Sequence, residues 1–225
     1  MSGLQAVILC GGLATRMRPA TSDIPKSLLS VAGRPFIEWQ IERLLSCGFD
    51  DFVFCTGHLG AQIESYVRGP GRRFSSDGPA PLGTAGALRK AAPMLAPEFT
   101  VFYGDSLLDF DCAAPQRELL AHPECDGVLA VCEWAEPNVV IAGIDSNVVT
   151  AVHRSAIGHL DYGACALRSR AIDLIADGQA QSANAFYDFL ALRGKLRAYV
   201  TSEPFWEIGS PAGRAALDRH LRVTA

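Results

Sequence analysis

No two cysteines in this chain are spaced as CxxC, and the seven present (Cys10, Cys47, Cys55, Cys112, Cys125, Cys132 and Cys165) are an odd number scattered through apolar runs. That excludes a closed disulfide framework and a local zinc site. It predicts reduced, buried thiols, as in a cytoplasmic protein. Basic residues are not in excess: 20 Lys and Arg against 24 Asp and Glu leave a formal net charge of −4. No nucleic-acid coat is expected, and an anionic ligand would need a local basic site. No apolar run approaches the roughly 20 residues of a membrane span. Met1-Ser2-Gly3 passes straight into an apolar segment without a basic leader, so no signal peptide is expected. Neither GxGxxG nor GxxxxGK[ST] occurs, and there is no internal repeat.

What is present is an alternation of apolar segments over 225 residues, a length that suits a single domain. Residues 4–10 form a short apolar run ending at Gly11-Gly12, which predicts a buried strand entering a glycine turn. Residues 35–47 place apolar side chains on one side between Pro35 and Gly48, a helix with proline at its first turn and glycine past its end. By the same reading 51–56 and 99–103 are strands, 59–67, 84–95 and 115–121 helices, and 69–81 a Gly/Pro/Ser-rich loop with room for one short strand. Strand 127–132 follows. Segments 139–144 and 148–153 then flank Asp145-Ser146-Asn147 as a hairpin. Segment 162–167, helices near 169–176 and 183–192, strand 197–201 and a helix over 212–221 complete the chain. The expected fold is α/β: a Rossmann-like, mixed but mostly parallel sheet flanked by helices, with a small antiparallel hairpin insertion. One domain over 1–225 is expected, in two parts, about 1–110 and about 111–225.

The first glycine turn carries chemistry. In Gly11-Gly12-Leu13-Ala14-Thr15-Arg16-Met17-Arg18-Pro19, the glycines leave backbone N–H groups open to phosphate oxygens. Thr15 adds a hydroxyl, and Arg16 adds a planar cation that grips phosphate with two bonds. Lys26, in Ile24-Pro25-Lys26-Ser27, supplies an ammonium within reach of the same phosphates. Tyr103-Gly104-Asp105 ends an apolar strand, where open α/β sheets place their ligands, and Asp105 is suited to holding Mg²⁺ on a triphosphate.

GGLATRMRP with Pro25-Lys26 resembles the signature of the sugar-1-phosphate nucleotidyltransferases, GGxGTRLxP followed by PK, with Ala14 and Met17 where that family often has Gly and Leu. The likeness runs along the chain. Gly33-Arg34-Pro35-Phe36-Ile37 resembles the family's GKPxI, and residues 81–88 (PLGTAGAL) match a loop whose small residues let the nucleobase lie against the backbone. Phe205-Trp206-Glu207-Ile208-Gly209-Ser210-Pro211 resembles W-x-D-I-G-T-P, with Glu207 in place of the second metal aspartate. His153-Arg154 stands where the family has Glu-Lys, and Asp161-Tyr162-Gly163 resembles its N-x-G segment.

The resemblance implies an enzyme that condenses a nucleoside triphosphate with a sugar 1-phosphate to give an NDP-sugar and pyrophosphate, with Mg²⁺ as cofactor. Arg16 and Lys26 would be catalytic. Leu9, Gly11, Gly12, Ala14, Thr15, Pro81, Gly83, Thr84 and Asp105 would bind the nucleotide. Arg154, Asp161 and Gly163 would bind the sugar phosphate, and Asp105 and Glu207 the metal. PLGTAGAL and the Glu-Ile-Gly-Ser-Pro ending are most similar to the heptose-1-phosphate and mannose-1-phosphate guanylyltransferases, which implies GTP and a heptose 1-phosphate. A uridylyl- or thymidylyltransferase shares nearly every motif, and Pro79-Ala80 stand where guanylyltransferases often carry acidic residues. A non-catalytic nucleotide-sugar binding protein would keep the loops and lose metal ligands. Asp109-Phe110-Asp111 has the outline of a glycosyltransferase DxD but reads as loop and cap, and Trp39 and Trp134 read as packing residues. The left-handed β-helix tail of several relatives is not expected. A homodimer is the expected assembly.

Overall fold

A computed structural model describes residues 3–134, 139–155 and 158–224. In chain order the strands are β1 (Leu4–Leu9), β2 (Ser30–Val31), β3 (Arg34–Pro35), β4 (Phe49–Thr56), β5 (Arg72–Ser76), β6 (Glu98–Tyr103), β7 (Ser106–Leu108), β8 (Gly127–Trp134), β9 (Val139–Asp145), β10 (Val148–Ser155), β11 (Gly158–Arg168), β12 (Leu196–Val200) and β13 (Phe205–Glu207). The α-helices are α1 (Phe36–Ser46), α2 (Gly60–Tyr66), α3 (Gly83–Ala91), α4 (Ala114–Ala121), α5 (Ser169–Ile172), α6 (Ala183–Leu192) and α7 (Pro211–Thr224).

The large sheet runs β5-β4-β1-β6-β11-β8-β12-β10-β9, and β9 also pairs with the start of β11. All strands but β10 and β11 point the same way. The parallel run β5-β4-β1-β6 is built from the first half of the chain, and β11 enters antiparallel beside β6. The expected mixed, mostly parallel sheet is therefore present. So is the hairpin: β9 and β10 pair around Ser146 and Asn147, whose φ values of 50° and 65° are those of a tight, primed turn.

Alternation along β1 shows why the sheet sits between helical layers. Val7 faces a core shared with α3 and α6 through Leu88, Phe186 and Leu190. Ala6 and Ile8 face the opposite core with Ile37, Ile41 and Ile63 of α1 and α2. Helix α1 buries Phe36, Ile37, Gln40, Ile41 and Leu44. It stops as its composition predicts: Gly48 at φ 90° returns its N–H to Leu45 O, and the N–H of Cys47 reaches Arg43 O. The helix expected over 84–95 is interrupted by Pro93. α3 ends at Ala91, and Ala92–Met94 continue as a single 3₁₀ turn. Helix 169–176 shortens to α5, and strand 162–167 lengthens to the eleven-residue β11. The small ladder between β7 and β13 has too few residues for periodicity to reveal, and the sequence reading misses it.

Candidate nucleotide site

Register aligns the strand ends. Leu9 of β1 lies between Cys55 of β4 and Tyr103 of β6, so Gly11, Gly57 and Asp105 emerge side by side. Two backbone bonds lock that edge: Cys10 N–H to Cys55 O at 3.0 Å, and Gly104 N–H to Leu9 O at 2.9 Å. Gly104 is required there, because a Cβ would fall 2.6 Å from the carbonyl oxygen of Leu9.

Over this edge opens a cleft of about 350 Å³. Leu9, Gly11, Gly12, Lys26, Pro81, Gly83, Thr84 and Asp105 line it, so the structure brings together most of the residues expected to meet a nucleotide. Gly12 has open space around its Cα, leaving its backbone accessible from the cleft. Ala14, Thr15 and Arg16 continue the loop outside the cleft lining. Ala14 holds φ 48°, ψ 37°, and its carbonyl accepts from Met17 N–H and the Thr21 hydroxyl, which fixes the turn.

The charged centre lies at one end. Lys26 Nζ meets Asp105 Oδ2 at 2.5 Å. β13 pairs antiparallel with β7, setting Glu207 opposite Ser106, and Ile208 N–H donates to Asp105 O at 2.9 Å. Residues 102 positions apart in sequence thereby become neighbours. A Cβ placed on Gly209 would stand 2.8 Å from Glu207 Oε2, 3.1 Å from Asp105 Oδ2 and 3.7 Å from an Arg16 guanidinium nitrogen, so all three groups face one point. Glu207 also accepts from Ser210 N–H at 2.9 Å and from the Ser210 hydroxyl at 2.5 Å. Two carboxylates offering hard oxygens toward one point beside the glycine loop are a donor set that would suit Mg²⁺.

The other expected residues lie elsewhere. Asp161 is buried on β11. Tyr103 OH donates to its Oδ2 at 2.7 Å and Gly163 N–H to its Oδ1 at 2.9 Å, so the carboxylate supports Tyr103 and is not among the groups lining the cleft. Burial pushes its pKa up to about 6, partly countered by those two bonds. Gly163, at φ 87°, lies where a Cβ would press on Ser106 and Tyr103. Arg154 is on β10, opposite Val140, but its side chain lies outside the described residues, as does that of Trp134. Trp39 packs as expected and donates to Val31 O. Asp111 Oδ1 accepts from Ala113 N–H in the turn that leads into α4, whose N-cap is Ala113 itself, so the expected cap is not formed; Asp109 accepts from the Trp206 indole.

Sequence reading misses Tyr103, Asp77 and Asn184, all of which line the cleft. Asp77 lies in the segment 69–81, read as a loop with room for one short strand, which gave no signal for it. Its carboxylate accepts from Leu82 N–H at 3.2 Å, and burial raises its pKa. Asn184 had none, because segment 181–184 reaches the site only by stitching to the 82–85 loop: Gln181 N–H to Leu82 O, Ala85 N–H to Gln181 O, and Ala183 N–H to the Thr84 hydroxyl at 2.6 Å. Among the described residues no helix is long and apolar enough to cross a membrane, and no cluster of three or more His, Cys, Asp or Glu could hold a metal.

Comparison with known proteins places the chain among nucleotidyltransferases. The N-acetylmuramate alpha-1-phosphate uridylyltransferase of Neisseria meningitidis serogroup B is 39% identical over 128 residues, covering 54% of this chain and 55% of that protein. The D-glycero-alpha-D-manno-heptose 1-phosphate guanylyltransferase of Campylobacter jejuni is 32% identical over 112 residues, 48% of this chain and 50% of the relative. The chain thus spans about half the length of these curated relatives. Among solved structures, HddC from Yersinia pseudotuberculosis superposes with a TM-score of 0.80 at 23% identity, over 97% of this chain and 99% of that one. A putative glucose-1-phosphate thymidylyltransferase from Bacillus anthracis reaches 0.85 at 18% identity, over 97% and 95%. Both share the fold. Residues 6–178 match the model of the MobA-like NTP transferase domain, and with its glycine loop, strand-end aspartate and parallel sheet the chain belongs to that family.

Proposed function

We propose that the protein transfers a nucleotidyl group from a nucleoside triphosphate to a sugar 1-phosphate, releasing pyrophosphate. The observation that carries this reading is the meeting of Lys26, Asp105, Glu207 and Arg16 at the mouth of a glycine-walled cleft. A second observation supports a bound ligand: the hydroxyl of Ser27, next to Lys26 in the cleft wall, is buried without a hydrogen-bond partner among the described residues.

In the reaction, a sugar-phosphate oxygen attacks the α-phosphorus. A new P–O bond forms, the α–β P–O bond breaks, and pyrophosphate carries away the electron pair. The attacking oxygen is already anionic near pH 7, so no general base is needed. The chain's work is to hold two like-charged reactants in line and to oppose the charge that develops. Gly11, Gly12 and Thr15 present donors to the phosphates, and Arg16 and Lys26 present cations to the transferring and departing groups. Asp105 and Glu207 would hold a Mg²⁺ ion, which would supply charge neutralisation. Lys26 must then exchange its carboxylate partner for phosphate when substrate enters. Arg154 on β10 is the cation assigned to the sugar phosphate. Tyr103, backed by Asp161, lines the cleft, and Gly163 packs against Tyr103.

For the substrates, the PLGTAGAL loop and the Glu-Ile-Gly-Ser-Pro ending favour GTP with a heptose 1-phosphate. The uridylyl reading is kept because the N. meningitidis relative, named a uridylyltransferase, is the more identical of the two compared above. The test is pyrophosphate release with Mg²⁺ for GTP, UTP, dTTP, CTP and ATP against heptose, mannose, glucose and N-acetylmuramate 1-phosphates, with D105N as the blank. Release confined to one pair and lost in the blank supports the reaction and assigns both specificities. Release in no pair, with nucleotide still bound, turns the reading to a nucleotide-sugar binding protein. Arg16→Ala should lower kcat by about 10²–10³, the usual loss for one transition-state donor; a near-native rate would remove Arg16 from the mechanism.

A further inference from the structure

Glu207 is one methylene longer than the aspartate expected at its position, and a longer side chain in an unchanged frame would push its carboxylate past the point that Asp105 faces. The surrounding residues show where that length goes. Oε2 faces the Gly209 point shared with Asp105, while Oε1 is turned back over the first turn of α7. There Gly213 leaves a notch: a Cβ on it would stand 1.8 Å from Glu207 Oε1 and 2.5 Å from Cδ. Ser210 holds the carboxylate in place, its N–H on Oε2 and its hydroxyl on Oε1, and the same hydroxyl accepts from Gly213 N–H at 3.0 Å. Glycine is a poor choice within a helix, costing about 1 kcal/mol against alanine, so its presence at 213 calls for a local reason. The carboxylate lying in the space of its missing side chain is that reason.

We propose that Gly213 and Ser210 are positioning residues that seat the longer Glu207, so that Oε2 takes the place an aspartate oxygen would occupy opposite Asp105. This rests on the reading of Asp105 and Glu207 as the metal carboxylates. The chemistry it serves is capture of a divalent cation, with the notch, the serine and the glutamate acting as one unit.

A Cβ at 213 would also approach the backbone oxygen of Glu207 at 2.8 Å, whatever side chain stands at 207. The experiment therefore compares backgrounds. Mn²⁺ uptake in the presence of a non-hydrolysable nucleoside triphosphate is measured by water-proton relaxation for native protein, G213A, E207D and the double variant, with the urea unfolding midpoint of each. With Glu207 present, G213A should weaken Mn²⁺ uptake by about 10- to 100-fold, the usual cost of disturbing a ligand's support. In the E207D background, whose shorter carboxylate does not reach the notch, the same substitution should change uptake by less than about twofold. The unfolding midpoint should likewise fall further for G213A with Glu207 than in E207D. Equal losses in the two backgrounds would overturn the proposal while leaving the metal reading intact. If native protein takes up no Mn²⁺, the metal reading itself fails. If E207D alone abolishes uptake, the unfolding midpoints decide by the same comparison.

Discussion

Ala14 sits in the left-handed region, at φ 48°, in the turn that follows Gly11 and Gly12. An L-residue pays about 1–2 kcal/mol for that conformation, while glycine there would give back much of the gain through its freer unfolded chain. Ala14→Gly should therefore leave the urea midpoint nearly unchanged. Ala14→Val, branched at Cβ, should destabilise by about 1–3 kcal/mol, and an unchanged midpoint for the valine variant would show that the loop is not held in this turn. Asp161 gives a prediction with the opposite sign from most carboxylates. Its folded pKa of about 6 is raised by burial, so the folded state binds its proton more tightly than the unfolded chain. The charged form is a burden above about pH 6 that is relieved as pH falls toward 4. This group alone should add roughly 1 kcal/mol of stability between pH 7 and pH 5. Chemical denaturation at the two pH values should show that gain shrinking in D161N; an identical gain in native and variant would place the effect elsewhere. Position 14 was legible from the family signature, since a site usually held by glycine marks a backbone that needs positive φ. The burial of Asp161 was not, because a loop-like Asp-Tyr-Gly gives no sign that Tyr103 will lie over it.

At the scale of elements, α1 does more than cover the sheet. Gln40, buried in its middle, donates to Tyr103 O at 2.8 Å and Ser106 O at 2.9 Å, the two carbonyls that flank the Gly104-Asp105 turn. One turn later Arg43 reaches Leu108 O, Asp109 O and Phe110 O, each at 2.9 Å. The helix thus holds the whole backbone segment that carries the strand-end aspartate. Gln40→Leu keeps the volume but strands both carbonyls. It should cost about 2–4 kcal/mol, each unmet buried group counting for about 1–3, and should lower turnover through Asp105; a loss under about 0.5 kcal/mol would mean the turn stands without the helix. Helix α1 was readable to within a residue, from Pro35, Gly48 and the apolar spacing between them. Its polar core position was not, because periodicity marks Gln40 as lying on the buried face without naming its partner. The β7–β13 pairing escaped for a related reason: three-residue strands carry no period, and only the likeness of residues 205–211 to a known motif hinted that Glu207 belonged beside Asp105.

For the molecule as a whole, the seven thiols test how the fold is closed. All are free cysteines; Cys10 and Cys47 are partly exposed and the other five buried. Cys10 is held protonated by burial and the neighbouring Cys55, whereas Cys47 is lowered to about 6 by its contact with the Cys112 thiol, with Arg43 assisting. An aromatic disulfide reagent at pH 7 should therefore modify Cys47 first, Cys10 slowly, and the rest only as fast as the protein opens. Simultaneous reaction of all seven would contradict the packed two-layer core, and reductant should not shift the unfolding midpoint. The general plan of that core was written in the sequence as apolar runs and glycine turns. What was not written is which runs become neighbours: β11, late in the chain, is the strand that joins the parallel half to the rest, and no local pattern announces it.

The stitching of residues 82–85 to 181–184 bears on how the protein comes into being. During synthesis at about 5–20 residues per second, the glycine loop, Lys26 and Asp105 leave the ribosome several seconds before Asn184 and Glu207. The nascent chain therefore spends its early life with a half-walled groove in which Asp105 can pair with Lys26 but has no Glu207 beside it. Asn184 adds a wall to this groove and Glu207 a second carboxylate at its charged end, so competence arrives only once both segments have been made and packed.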